Sequence, residues 1–162
     1  MKNKVKPDHV EKIAIPRKIL NRTWRYLSKR GKIQLEGVAY WTGSADSSGG
    51  AIKHVIFPKS YEEESNIHLE ISDFEVMRLT QKIQDFDEFL LARVHSHPTA
   101  AYHSPSDDRG CLSGRIGMIS IVIPDFAKSS PDITKAAIYE RLSVGTWRQI
   151  SEKEIEERFL VV

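Results

Sequence analysis

The chain has one cysteine in 162 residues, Cys111. A lone thiol closes no internal disulfide, and Cys-rich zinc sites are excluded with it. No apolar run approaches the length of a membrane span. No charged n-region, apolar h-region and small-residue cleavage site opens the sequence. The expected setting is therefore reducing and cytoplasmic, away from membranes. An excess of one charge is also missing: 24 Lys and Arg against 22 Asp and Glu leave a net +2. That balance gives no reason to expect nucleic acid or anionic lipid as a partner, and no basic stripe stands out. Internal repeats and low-complexity blocks are absent. The remainder, 40% hydrophobic and 28% charged residues, is ordinary for a soluble globular protein. The length suits one domain with a real core.

Residues 1–14 read as a loosely ordered tail in which Lys2, Lys4 and Lys6 are solvated, and residues 15–162 as the single domain. Pro16 opens a helix, because proline is tolerated in the first turn. Leu20, Trp24 and Leu27 make its apolar stripe and Gly31 ends it. Residues 33–43, "IQLEGVAYWTG", read as a strand with Ile33, Leu35, Gly37, Ala39 and Trp41 on one face and Gln34, Glu36, Val38 and Tyr40 on the other. A turn at 44–50 leads to a second strand at 51–57, and the two form a hairpin. Ser72 with Glu75 is a capping box, opening a helix striped by Val76, Leu79, Ile83 and Phe86. "FLLARVHSH" is a third strand, and "MISIVIP" (118–124) reads as a central one covered on both faces. Residues 135–150 suggest a closing hairpin through Ser143-Val144-Gly145. Ser151 and Glu154 cap a last short helix. Strands and helices are interspersed without regular alternation, so the expected fold is α+β: a mixed central sheet flanked by helices.

The stretch that carries chemistry is "ARVHSHPTAAYHSPSDDRG", residues 92–110. Alternation on a strand sends His95 and His97 to one side at the strand's end. Two imidazoles and a carboxylate from the following loop can supply three ligands to a first-row metal. Nitrogen and oxygen donors without thiolate suit zinc in a catalytic site, where the open fourth position holds water. Pro98 ends the strand. Ser104 and Asp107 lie three apart, on one side of a helical turn. His-x-His alone is a common accident; followed by Pro and then Ser-x-x-Asp, it is a far more specific pattern. His103 has no evident role.

"HSHPTAAYHSPSD" resembles the motif of the JAMM/MPN zinc metalloprotease family: an upstream glutamate, His-x-His-Pro, a short loop, and Ser-x-x-Asp. The family's glutamate stands seven residues before a glycine, as Glu36 stands before Gly43. The order of elements is similar over roughly residues 16–150. The resemblance implies an MPN, cytidine-deaminase-like fold. It implies that His95 and His97 bind Zn2+, that Glu36 is the general base, and that Ser104 helps stabilise the oxyanion. The apolar strand neighbours of Glu36 agree with a carboxyl suited to proton transfer. The loop departs from the family. Six residues separate His97 from Ser104, where seven are usual. Keeping Ser-x-x-Asp makes Asp107 the third ligand; keeping the distance from His97 makes it Asp108, with Pro105 at the serine position.

The family contains isopeptidases that act on ubiquitin or ubiquitin-like tails, and small bacterial members encoded beside E1-like and E2-like proteins. The implied function is a zinc isopeptidase or processing peptidase acting after the C-terminal tail of a ubiquitin-like protein. Processing of a ubiquitin-like sulfur carrier and a non-catalytic scaffold of the same fold are the alternatives. The segment 65–72, "SNIHLEIS", is a candidate strand against which an extended tail could pair.

Overall fold

The computed structural model of the protein describes residues 6–66, 69–102 and 115–162. Its centre is an eight-stranded mixed sheet. In chain order the strands are β1 (Ile13–Ile15), β2 (Val38–Asp46), β3 (Gly49–Ile56), β6 (Phe89–Ser96), β7 (Ile119–Ile123), β8 (Ala137–Ser143), β9 (Thr146–Gln149) and β10 (Phe159–Val161). A separate two-stranded ribbon pairs β4 (Glu63–Glu64) with β5 (Leu69–Glu70). Across the main sheet the order is β10-β1-β3-β2-β6-β7-β8-β9. Pairing is parallel for β10/β1, β1/β3 and β6/β7 and antiparallel elsewhere. Three α-helices lie among the described residues: α1 (Arg17–Gly31), α2 (Asp73–Asp85) and α3 (Glu152–Arg158).

The two faces of the sheet bury different cores, and alternation along β2 assigns them. Ala39 and Trp41 join the larger core with Ile19, Leu20, Trp24 and Leu27 of α1, Val94, and Ile119, Ile121 and Ile123 of β7. Val38 and Tyr40 point the other way and pack with Ile56, Leu69, Ile71 and Leu79. The Trp41 indole N–H donates to Thr23 Oγ1 (2.8 Å), and that hydroxyl donates to the Ile19 carbonyl (2.8 Å). One chain of bonds thus ties β2 to α1. Gly31 closes α1 where the 3-10 turn Asp125–Ala127 packs: a Cβ there would lie 2.3 Å from Phe126 Cβ.

The α+β reading and the helices at 17–31, 73–85 and 152–158 agree with the sequence pattern. Ser72 and Ser151 accept from the N–H groups of Glu75 and Glu154, as capping residues should. The glutamates, however, do not reach back to complete the box. Glu75 takes Arg78 and the Lys59 N–H, and Glu154 takes Arg148.

Other boundaries differ. The strand expected at 33–43 begins only at Val38: Gln34 sits at φ 61° and Ile33 is 66% exposed, and residues 32–34 form a turn instead. The hairpin turn shrinks to residues 47–48 as β2 and β3 extend toward each other. The segment read as the end of a tail contains β1, inserted between β10 and β3, with Val10 and Lys6 buried. Lys6 is not solvated: its Nζ donates to the Gly117 carbonyl (3.2 Å). No helix of the described residues is long and apolar enough to cross a membrane.

Candidate metal centre

The apolar run Leu91-Ala92 drives β6 into the middle of the sheet, between β2 and β7. His95 faces Val38 on one side and Val122 on the other. Beyond the last paired residues the backbone stays clamped. Ser96 N–H donates to the Gly37 carbonyl (3.1 Å), and Gly37 N–H donates to Ser96 Oγ (3.1 Å). His97 N–H donates to the Ile123 carbonyl (2.9 Å), and the His97 carbonyl accepts from Phe126 N–H (2.8 Å). Both histidines are therefore held by rigid backbone, which a precise site needs.

His95 and His97 lie on the sheet face that carries Val38 and Tyr40, opposite α1. Their ring centroids are 5.0 Å apart at 59°. They are 2% and 4% exposed. Tyr102 meets His97 edge-on at 4.7 Å. Arg93, also buried, places Nη1 3.3 Å from His95 Nδ1. Guanidinium only donates, so Nδ1 accepts and the ring in this contact is neutral, the form that ligates metals. A neutral imidazole cannot accept at both nitrogens, so ligation through Nε2 requires the Arg93 contact to give way or the ring to turn over.

Glu36 lies two residues ahead of β2 rather than within it. Continuing the β2/β6 register through the Gly37–Ser96 bonds sets it across from His97, on the histidine face. It is buried. Its carbonyl accepts from Arg30 Nε of α1 (2.8 Å), and its N–H donates to the Ser65 carbonyl of the β4–β5 ribbon (3.3 Å). Arg30 also pairs with Glu64 (3.2 Å) and covers the Tyr61 ring at 4.3 Å. Helix α1 and the ribbon thus grip the Glu36 backbone from two sides.

His103, Ser104, Asp107 and Asp108 lie outside the described residues, as does Cys111. Among the described residues no group of three or more His, Cys, Asp and Glu is arranged to hold a metal. The structure brings together His95 and His97 and sets Glu36 opposite them. The donor chemistry of the two imidazoles fits a first-row divalent metal that takes its remaining ligands elsewhere. Arg93, Tyr102 and Arg30 were not singled out from sequence. Arg93 does carry a signal, since it continues the period-two spacing of His95 and His97. Arg30 carries none, because its role depends on where α1 packs.

No protein-family model matches the chain. A Sinorhizobium fredii protein named "Probable metalloprotease y4jG" is 28% identical over 145 residues, 88% of this chain and 90% of that protein. The solution structure of protein DSY2949 from Desulfitobacterium hafniense is similar in fold, with a TM-score of 0.66, 15% identity, and coverage of 93% of this chain and 92% of that one.

Proposed function

We propose that the protein is a zinc-dependent peptidase of the JAMM type, with an MPN fold, that cuts after the C-terminal tail of a ubiquitin-like protein. The observation that carries this reading is the buried His95–His97 pair at the end of β6, with Glu36 across from it. Ser104-x-x-Asp107 follows seven residues after His97 in the sequence. The likeness to a protein named as a metalloprotease, over about nine-tenths of both chains, supports the peptidase half. The ubiquitin-like substrate and a bacterial conjugation system with E1-like and E2-like partners rest on the motif's resemblance.

His95, His97 and Asp107 (or Asp108) would hold Zn2+, two nitrogens and one oxygen with no thiolate, as catalytic zinc sites use. When bound, zinc supplies Lewis acidity that favours deprotonation of water and polarises a carbonyl. Glu36 takes a proton from the attacking water and returns it to the leaving amine, turning a poor leaving group into a neutral one. The Ser104 hydroxyl donates a hydrogen bond to the oxygen on which negative charge develops. An extended tail can pair with the β4–β5 ribbon, whose Ser65 already bonds the Glu36 backbone. Main-chain pairing there would bring the scissile carbonyl to the histidine face.

The test is Glu36→Gln. The amide cannot accept the proton, so cleavage of a ubiquitin-like fusion protein should fall by about 10²–10⁴-fold while zinc binding is kept. Turnover at the wild-type rate contradicts the role of Glu36.

A further inference from the structure

Along the sequence no basic stripe stands out. Folding produces one. Residues 17–32 carry seven of the chain's 24 Lys and Arg and none of its 22 Asp and Glu. Lys18, Arg22, Arg25 and Lys29 recur at spacings of four, three and four. On a helix they fall within an arc of about 60° over about 16 Å. That arc is opposite the buried stripe of Leu20, Trp24 and Leu27. All four are exposed, and none is paired with a carboxylate among the described residues. Like charges at i and i+4 repel, so the face works against its own helix. A solvated helix surface ordinarily intersperses both signs.

Under the stripe lies a cleft of about 220 Å³, lined by Arg22, Arg25, Tyr26, Lys29 and Phe57. Its floor is apolar: Tyr26 and Phe57 stack at 4.3 Å. Its rim is cationic, with the Arg22 guanidinium 5.9 Å from the Phe57 centroid. We propose that the outer face of α1 docks an acidic segment of a partner protein. One apolar side chain of that segment enters the Tyr26–Phe57 cleft, and flanking carboxylates meet Lys18, Arg22, Arg25 and Lys29. This face lies across the sheet from His95 and His97, so the proposal does not rest on the peptidase reading.

Two observations favour an acidic peptide over other polyanions. Single-stranded nucleic acid gains much of its affinity by stacking bases on open aromatic faces. Here Tyr26 covers one face of Phe57 and Arg22 lies over the ring. A membrane-bound helix would turn its apolar side to lipid, whereas the apolar side of α1 is sealed in the larger core.

The test is fluorescence anisotropy with the full chain at low salt. The probes are a labelled peptide of glutamates with one central leucine, the same peptide with serine in place of leucine, and labelled oligothymidylate. The leucine peptide should bind about tenfold tighter than the serine peptide, as expected for burying one such side chain. It should also bind tighter than the oligonucleotide. Arg22→Glu with Arg25→Glu should weaken the leucine peptide by at least about tenfold. The independent pair Lys18→Glu with Lys29→Glu should weaken it as well. These side chains are exposed, and a melting curve confirms that each variant is folded. Oligothymidylate binding as tightly as the leucine peptide overturns the proposal, as do equal affinities for the two peptides, charge reversal without effect, or no binding at all.

Discussion

Glu36 and the two histidines come to one face of the sheet by different routes. His95 and His97 are carried there by strand alternation, which any reader of the sequence can follow. Glu36 arrives through a turn that ends just before β2, with its backbone gripped by Arg30 and Ser65. The spacing to Gly43 marked it; the grip could not be read, because Arg30 and Ser65 are distant in sequence and carry no motif. The third ligand that the proposed zinc site needs is tested at this same scale. If Ser104 and Asp107 share one side of a helical turn, Asp108 points about 100° away. Asp107→Asn should then cost zinc affinity and Asp108→Asn should cost little. Zinc titration of the two variants checks the register; the opposite ranking moves the ligand to Asp108.

At the scale of elements, α1 is held by more than its apolar stripe. Thr23 sits between the Trp41 indole and the Ile19 carbonyl, all of them buried. Thr23→Val keeps the shape and removes the acceptor, leaving the indole N–H buried and unsatisfied. The expected loss is about 1–3 kcal/mol, read from a denaturant melt; an unchanged midpoint denies the bond its role. Long periodic elements such as α1, α2 and β6 were legible because their apolar residues repeat over several turns or pleats. β1 and β10 were not. Each is three residues long, and they become strands only by pairing with each other and with β3, a contact between the two ends of the chain. Of the β4–β5 ribbon, β5 falls inside the candidate strand at 65–72, while β4 carries no signal, because two residues in a polar loop are too short to show alternation.

At the scale of the molecule, a buried charge cluster joins parts that are remote in sequence. Glu140 of β8 accepts from Arg158 of α3 (2.6 Å) and Arg148 of β9 (2.9 Å), and its carboxylate meets His9 (2.9 Å). Arg158 also donates to the Val10 carbonyl (2.7 Å). Burial alone would raise the Glu140 pKa; the bonds from Arg158 and Arg148 outweigh it and hold the group down at about 2. A carboxyl whose folded pKa is depressed contributes stability that is complete above its ordinary pKa and is lost as pH falls toward the folded value. Glu140→Gln should therefore destabilise the protein near neutrality, by no more than about 3–5 kcal/mol, because it leaves the buried Arg158 with only the more distant Glu154 carboxylate at 3.7 Å. The gap in melting temperature between the wild type and this variant should narrow as pH falls from about 5 to about 2. A gap independent of pH would mean that the carboxylate charge is not its source.

The mixed sheet these contacts close is the frame that presents His95 and His97, and the proposed function requires this frame to hold zinc. Elemental analysis and zinc titration of the purified chain, beside His95→Ala and His97→Ala, test that requirement. About one zinc per chain is expected in the wild type, with its loss in both variants and the fold retained. A wild-type chain that neither carries zinc nor takes it up, or alanine variants that bind it as tightly as the wild type, would contradict it.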